Sequence, residues 1–231
     1  MLICGIDEAG RGPVIGPMVM AGVVVDEKDH EMLRAIGAKD SKLLTPLQRE
    51  RLFKEIVGRV LRYKIVVIGP QEIDKAVMSK GTNLNWLEAE HQVLLVNELA
   101  PGTVYIDCPS PNIKAYSAYI HERLKWPDQV KLVCAHHADR DYPVVSAASI
   151  LAKVTRDEHI ERIKKEIGID FGSGYAADPR TVEFVKEHWQ DYPDIFRHSW
   201  AAYKRYATPA TTGQTQLGTF ARKRGRPKKD K

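Results

Sequence analysis

Residues 1–25 read MLICGIDEAGRGPVIGPMVMAGVVV, and the fold turns on how the apolar run at 2–7 connects to the one at 17–25. Both runs are aliphatic and partly β-branched, which predicts strands. The AGRGPVIG segment between them is too short for a crossover helix, so the strands are expected as an antiparallel pair. A dinucleotide-binding loop is excluded. The glycines Gly10, Gly12 and Gly16 are spaced G-x-G-x-x-x-G, one residue too long; Pro13 follows the second, and a strand follows where that motif needs a helix. The first strand ends in two adjacent carboxylates, Asp7 and Glu8. Buried acids are costly unless paired or bound to a cation. Neighbours on a strand point to opposite faces, so the two are expected to share a site only if the strand twists or ends at Glu8.

Further strands are predicted at 61–68, 103–107 and 129–135, and helices at 84–100, 112–124 and 146–167. TPLQRERLFKEIVGRV opens with Thr45, Pro46 at the first helical position and Gln48 three after the cap, a capping-box pattern. DPRTVEFVKEHW repeats the start signal with Asp178 and Pro179. Strands followed by strands alternating with helices predict an α/β core with a mixed sheet.

Acids recur where strands end. Asp107 closes VYID, and Asp139 and Asp141 lie in HHADRDYP, beyond QVKLVCA. Such positions gather in one crevice at the edge of an α/β sheet. Converging carboxylates suit Mg²⁺ or Mn²⁺, and two such ions suit phosphodiester hydrolysis. Asp141, just before Tyr142-Pro143, reads better as a turn former or helix cap.

The chain of 231 residues is 43% apolar and 28% charged, ordinary for a globular protein with one sizeable core. It has neither a membrane-length apolar run nor a secretory leader, so a cytoplasmic protein is expected. Cys4, Cys108 and Cys134 lie in strand-like segments and read as reduced core thiols. The formal charge is +5, but RKRGRPKKDK at the end carries seven basic residues and one acid; this leaves 28 against 29 in residues 1–221. The positive charge is a tail property. From about residue 207 the chain is small, polar and then basic, predicting a flexible segment.

Taken together, GIDEAGRG at 5–12, DSK at 40–42, YID at 105–107, ADRDYPVVSAASILAKVTRD at 138–157 and GSGYAADPRT at 172–181 resemble ribonuclease HII, above all its single-domain archaeal members. The resemblance implies a ribonuclease H-like fold with a C-terminal helical region: a catalytic domain over 1–206, with those helices from about 178, and a flexible basic tail over 207–231. It implies an endonuclease that hydrolyses the RNA strand of RNA–DNA hybrids and nicks duplex DNA 5′ to embedded ribonucleotides, leaving 3′-hydroxyl and 5′-phosphate ends. The metal-binding and catalytic acids would be Asp7, Glu8, Asp107 and Asp139, holding two Mg²⁺ or Mn²⁺ ions. Gly10, Arg11 and Gly12 would read the ribose 2′-hydroxyl, and Tyr175 would pack on the following sugar. Ala176 departs from the family, where proline is common. Arg11 and Lys42 are candidates for phosphate contacts, while His136 and His137 read as rim residues.

In the tail, QTQLGTFA at 214–221 resembles the peptide that docks replication proteins on the sliding clamp, with Gln214, Leu217 and Phe220 as anchors and Ala221 where a second aromatic is usual. RKRGRPKK reads as a basic arm giving sequence-blind DNA affinity in preference to an AT-hook. The resemblance implies a monomer. The competing reading is a non-catalytic DNA- and sliding-clamp-binding module with structural acids, which Asp7→Asn would separate from the enzyme.

Overall fold

The structure is a computed structural model and describes residues 1–37 and 44–207. Lys42, the tail anchors Gln214, Leu217 and Phe220, and the basic end lie outside the described residues.

The strands β1 (Leu2–Ala9), β2 (Met18–Asp26), β3 (Arg62–Ile68), β4 (Thr103–Asp107) and β5 (Lys131–Ala135) form one sheet in the order β3-β2-β1-β4-β5. β1 pairs antiparallel with β2, and β2 with β3, while β4 and β5 run parallel to β1, so the sheet is mixed as expected. Nine α-helices are described: α1 (His30–Ala35), α2 (Pro46–Val57), α3 (Pro70–Met78), α4 (Leu84–Leu99), α5 (Ile113–His121), α6 (Ala138–Asp141), α7 (Pro143–Ile167), α8 (Pro179–His188) and α9 (Ala201–Ala207).

Helices cover both faces of the sheet, which explains why PMVMAGVVV is apolar throughout rather than alternating. Val19, Ala21, Val23 and Val25 of β2 join Ile3 in a core with α1, α2 and α7. Met20 and Val24 face the other way, with Cys4 and Ile6, against α4 and α5. Gly5 lets α7 lie directly on β1, because a Cβ there would fall on the backbone of Val144 and Val145. A third core joins Val14 and Ile15 to Phe171, Phe184, Phe196 and Tyr203, tying the C-terminal helices to the β1–β2 loop.

The predicted capping box is present: Thr45 Oγ1 accepts from Gln48 N at 3.3 Å, and Gln48 Oε1 accepts from Thr45 N at 2.8 Å. Asp178 caps α8, with Pro179 following. The helix predicted from 146 begins at Pro143, which fills the first helical position. Asp141 ends α6 and does not cap α7; instead His30 Nε2, from α1, accepts from Val144 N at 3.3 Å in the first turn of that helix. The three cysteines are free, Cys4 and Cys108 buried and Cys134 half-buried. Among the described residues no helix is long and apolar enough to cross a membrane.

Candidate active site

The carboxyl ends of β1 and β4 lie side by side, because Ile6 is in register with Ile106. Asp7 and Asp107 therefore lie at one level of the sheet. Asp139 joins them from α6, which follows β5 through His137 in the left-handed conformation (φ 58°). Asp107 Oδ1 accepts from Ala138 N at 2.9 Å, so the second acid orients the turn that carries the third. Ser146 Oγ donates to the Asp139 carbonyl, tying α6 to α7.

β1 does not end at Glu8. It stays paired with β2 through Ala9 opposite Val19. Asp7 thus faces α7, where Ser149 donates to it, and Glu8 leaves by the other face toward Glu88 on α4. The two neighbouring acids leave opposite faces of the strand but remain close enough for the Asp7 and Asp107 charges to act on Glu8. Burial raises the Asp7 pKa to about 8, with Asp107 and Asp139 adding to the rise. Burial, then the Glu88, Asp7 and Asp107 charges, hold Glu8 well above the carboxylate range.

Among the described residues no three His, Cys, Asp or Glu side chains are grouped closely enough to hold a metal ion. The charge balance and donor type nonetheless fit a hard cation. Glu8 keeps a buried oxygen, Oε2, with no hydrogen-bond partner, and Asp7 is kept from ionising by burial and its fellow acids. A divalent ion would relieve both, and carboxylate oxygens are its preferred donors.

The glycine-flanked loop sits between these acids and Tyr175. Gly10 has φ +80°, and a Cβ there would lie 2.8 Å from the Pro17 carbonyl oxygen, so glycine is required. At Gly12 a Cβ would lie 3.6 Å from Tyr175 Cε1, in ordinary contact with the ring. Tyr175 is 37% exposed, and Arg156 lies over its ring with Cζ 5.3 Å from the centroid. The segment bearing Tyr175 is fastened to the loop, since Gly174 O accepts from Val14 N at 2.9 Å. A groove of about 570 Å³, lined by Arg49, Lys153, Arg156, Ser173 and Tyr175, opens between α2 and α7. Arg11 turns to α4: its Nε donates to Glu88 Oε1 at 2.8 Å and its Nη2 to Asn85 Oδ1 at 2.6 Å. Its side chain is 39% exposed. Lys153 Nζ donates to Asp157 Oδ1 at 2.6 Å, and His136 Nδ1 lies 3.0 Å from the Cys108 carbonyl oxygen.

The ribonuclease HII family model matches residues 4–203. Ribonuclease HII of Pyrococcus furiosus is 45% identical over 222 residues, covering 94% of this chain and 96% of its own. The chain belongs to the ribonuclease HII family. The crystal structure of ribonuclease H2 from Pyrococcus horikoshii OT3 superposes with a TM-score of 0.81 at 43% identity, over 89% of this chain and 97% of that one. Ribonuclease HII of Archaeoglobus fulgidus, solved in complex with PCNA, gives 0.78 at 39% identity, over 87% and 95%. Membership makes the protein a ribonuclease H, a nuclease acting on RNA in RNA–DNA hybrids, and its mixed sheet with flanking helices is the ribonuclease H-like fold.

Sequence reading missed several buried ionisable residues around this candidate site, among them Glu88, Arg156, Arg197 and Asp74. Asp74 on α3 accepts from the backbone N–H of His198 at 2.7 Å and of Ser199 at 2.8 Å. The available signals were modest: an acid within the apolar α4 and an arginine directly after Ile195-Phe196.

Proposed function

We propose that the protein nicks duplex DNA on the 5′ side of embedded ribonucleotides and cuts the RNA strand of hybrids, leaving 3′-hydroxyl and 5′-phosphate ends. The observation that carries this reading is the position of Gly10–Gly12 between the buried acids and the Tyr175 ring. Asp7, Glu8, Asp107 and Asp139 would hold two Mg²⁺ or Mn²⁺ ions. When bound, these would supply a more acidic attacking water and a stabilised leaving oxygen.

The chain's own groups supply the selection. The 2′-hydroxyl marks ribose, being both donor and acceptor, and a glycine-lined backbone can approach it closely. Tyr175 offers a flat face to the next sugar, where a deoxyribose packs better than a ribose. Arg11 is held by Glu88 and Asn85, so the loop's backbone rather than this guanidinium is the better ribose reader, and Lys42 is the phosphate contact we favour. The tail, through Gln214, Leu217 and Phe220, would dock on a sliding clamp; the clamp complex of the 39% identical Archaeoglobus protein supports this.

The test is a labelled duplex with one ribonucleotide, incubated with Mg²⁺, Mn²⁺ or EDTA, with its product ends mapped. A metal-dependent cut 5′ to the ribonucleotide, leaving a 3′-hydroxyl, is expected. Cleavage of long hybrids alone would remove the junction-sensing role of Tyr175.

A further inference from the structure

Three consecutive carbonyls of the glycine-flanked loop are taken up by two side chains from the far end of the described chain. Arg197 Nη2 donates to Gly10 O at 2.6 Å, its Nη1 to Arg11 O at 2.8 Å, and its Nε to Gly16 O at 3.0 Å. Trp200 Nε1 donates to Gly12 O at 3.0 Å. Arg197 is fully buried, and its Cζ lies 5.0 Å from the Trp200 ring centroid, so the two donors brace each other.

The segment that carries them is itself pinned. Arg197 N donates to Val14 O at 2.9 Å, Gly16 N donates to Ile195 O at 2.8 Å, and Asp74 holds the N–H groups of His198 and Ser199. A buried guanidinium with three carbonyl acceptors is an expensive arrangement for packing alone, since an apolar side chain fills space without the desolvation cost.

Trans peptide geometry gives the clamp its consequence. No peptide bond described here is cis, and in a trans unit the N–H points opposite to the C=O. Turning the Gly10 and Arg11 carbonyls inward aims the N–H groups of Arg11 and Gly12 outward, away from Arg197. Neither donates to a described residue. The unit from Gly12 to Pro13 has no N–H, so the loop presents this pair of donors side by side.

We infer that Arg197 and Trp200 are positioning residues for ribose recognition: by holding the carbonyls of Gly10, Arg11 and Gly12 they fix the outward N–H pair at the sugar, making the C-terminal segment a determinant of specificity. The inference rests on the proposed ribose-reading role of this loop.

The test compares binding of two otherwise identical duplexes, one with a single ribonucleotide and one all-deoxy, by fluorescence anisotropy with Ca²⁺ replacing the catalytic ions. The variants are Arg197→Lys, which keeps the charge but not the three-way fork, and Trp200→Phe, which removes one N–H and keeps the ring. The ribo-over-deoxy affinity ratio is expected to fall about tenfold in Arg197→Lys and about threefold in Trp200→Phe, with all-deoxy binding unchanged. Native protein that binds both duplexes equally overturns the ribose-reading role, and the inference with it. Native discrimination with an unchanged ratio in folded variants overturns the clamp alone. Equal weakening on both duplexes marks a merely structural role and also overturns it. If Arg197→Lys does not fold, Trp200→Phe decides.

Discussion

Gly12 faces the Tyr175 ring, which a Cβ on Gly12 would meet at 3.6 Å, whereas a Cβ on Gly10 would press on the Pro17 carbonyl at 2.8 Å. Two glycines of one motif are thus glycine for different reasons. Gly10 is needed by the fold, with φ +80° and no room. Gly12 has room and an ordinary backbone, so the fold does not require glycine there, and on the proposed ribose-reading role its missing Cβ would leave space between loop and ring. Gly10→Ala is therefore expected to cost about 1–3 kcal/mol of stability, read as a lowered thermal midpoint. Gly12→Ala is expected to keep a near-native midpoint and lose at least about tenfold in kcat/KM on a single-ribonucleotide duplex, the size of one misplaced contact. An unstable Gly12→Ala would contradict this division.

Neutralising Asp7 is expected to stabilise the fold while abolishing cleavage. Its pKa is raised to about 8 in the folded chain, above the ordinary carboxylate value near 4 in the unfolded one. The folded state therefore keeps a proton that the unfolded state releases, and stability falls as pH rises from about 4 to about 8. In EDTA at pH 7, Asp7→Asn should melt several degrees higher than the native protein, and its midpoint should vary less over that pH window. Adding Mg²⁺ should raise the native midpoint and leave the variant nearly unmoved. A variant that melts lower in EDTA would show that the acid cluster carries no strain.

Tyr175 is expected to separate the two proposed substrates. Its ring is partly exposed and backed by Arg156, so it offers a face instead of filling a core. Stacking on one nucleotide is worth about 1–3 kcal/mol. Tyr175→Ala should then cut cleavage of a single-ribonucleotide duplex by about tenfold or more and reduce long-hybrid cleavage far less, while Tyr175→Phe keeps most activity on both. Equal losses on both substrates would remove the junction-sensing role.

How much of this was readable in the sequence depends on how far apart the partners lie. Local signals held: Thr45 with Gln48, Asp178 with Pro179, and the uninterrupted apolar run of β2 all correspond to features of the fold. Of the two conditions set for Asp7 and Glu8 to share a site, an end of the strand at Glu8 is not met, since Ala9 still pairs with Val19, yet the Asp7 and Asp107 charges still act on Glu8. Glu88, Asp74 and Arg197 escaped notice because their partners lie 77, 124 and up to 187 residues away, and no local pattern encodes such pairs. The short helix α3 escaped as well; it is under three turns, and its apolar face is defined by packing against Met18, Ile68 and Trp200, which is a tertiary property.

Asp178 links the α8 cap to the Tyr175 loop, and acid should undo both together. One oxygen of its carboxylate accepts from Ser173 N at 2.8 Å and the other from Arg180 N at 3.1 Å, and these bonds hold its pKa down near about 2. A depressed carboxylate contributes stability that is present above its unfolded pKa near 4 and lost as pH falls through the folded value. The C-terminal helices should therefore loosen between about pH 4 and pH 2, seen as a rise in fluorescence from the aromatic cluster around Phe184 and Trp189. Asp178→Ala should bring part of this change to neutral pH. It should lower the thermal midpoint by a few degrees and weaken single-ribonucleotide cleavage through a displaced Tyr175, while Asp178→Asn, still able to accept from one N–H, should fall between the two. If Asp178→Ala melts like the native protein yet cleaves poorly, the loop rather than the helix cap is what this carboxylate chiefly secures.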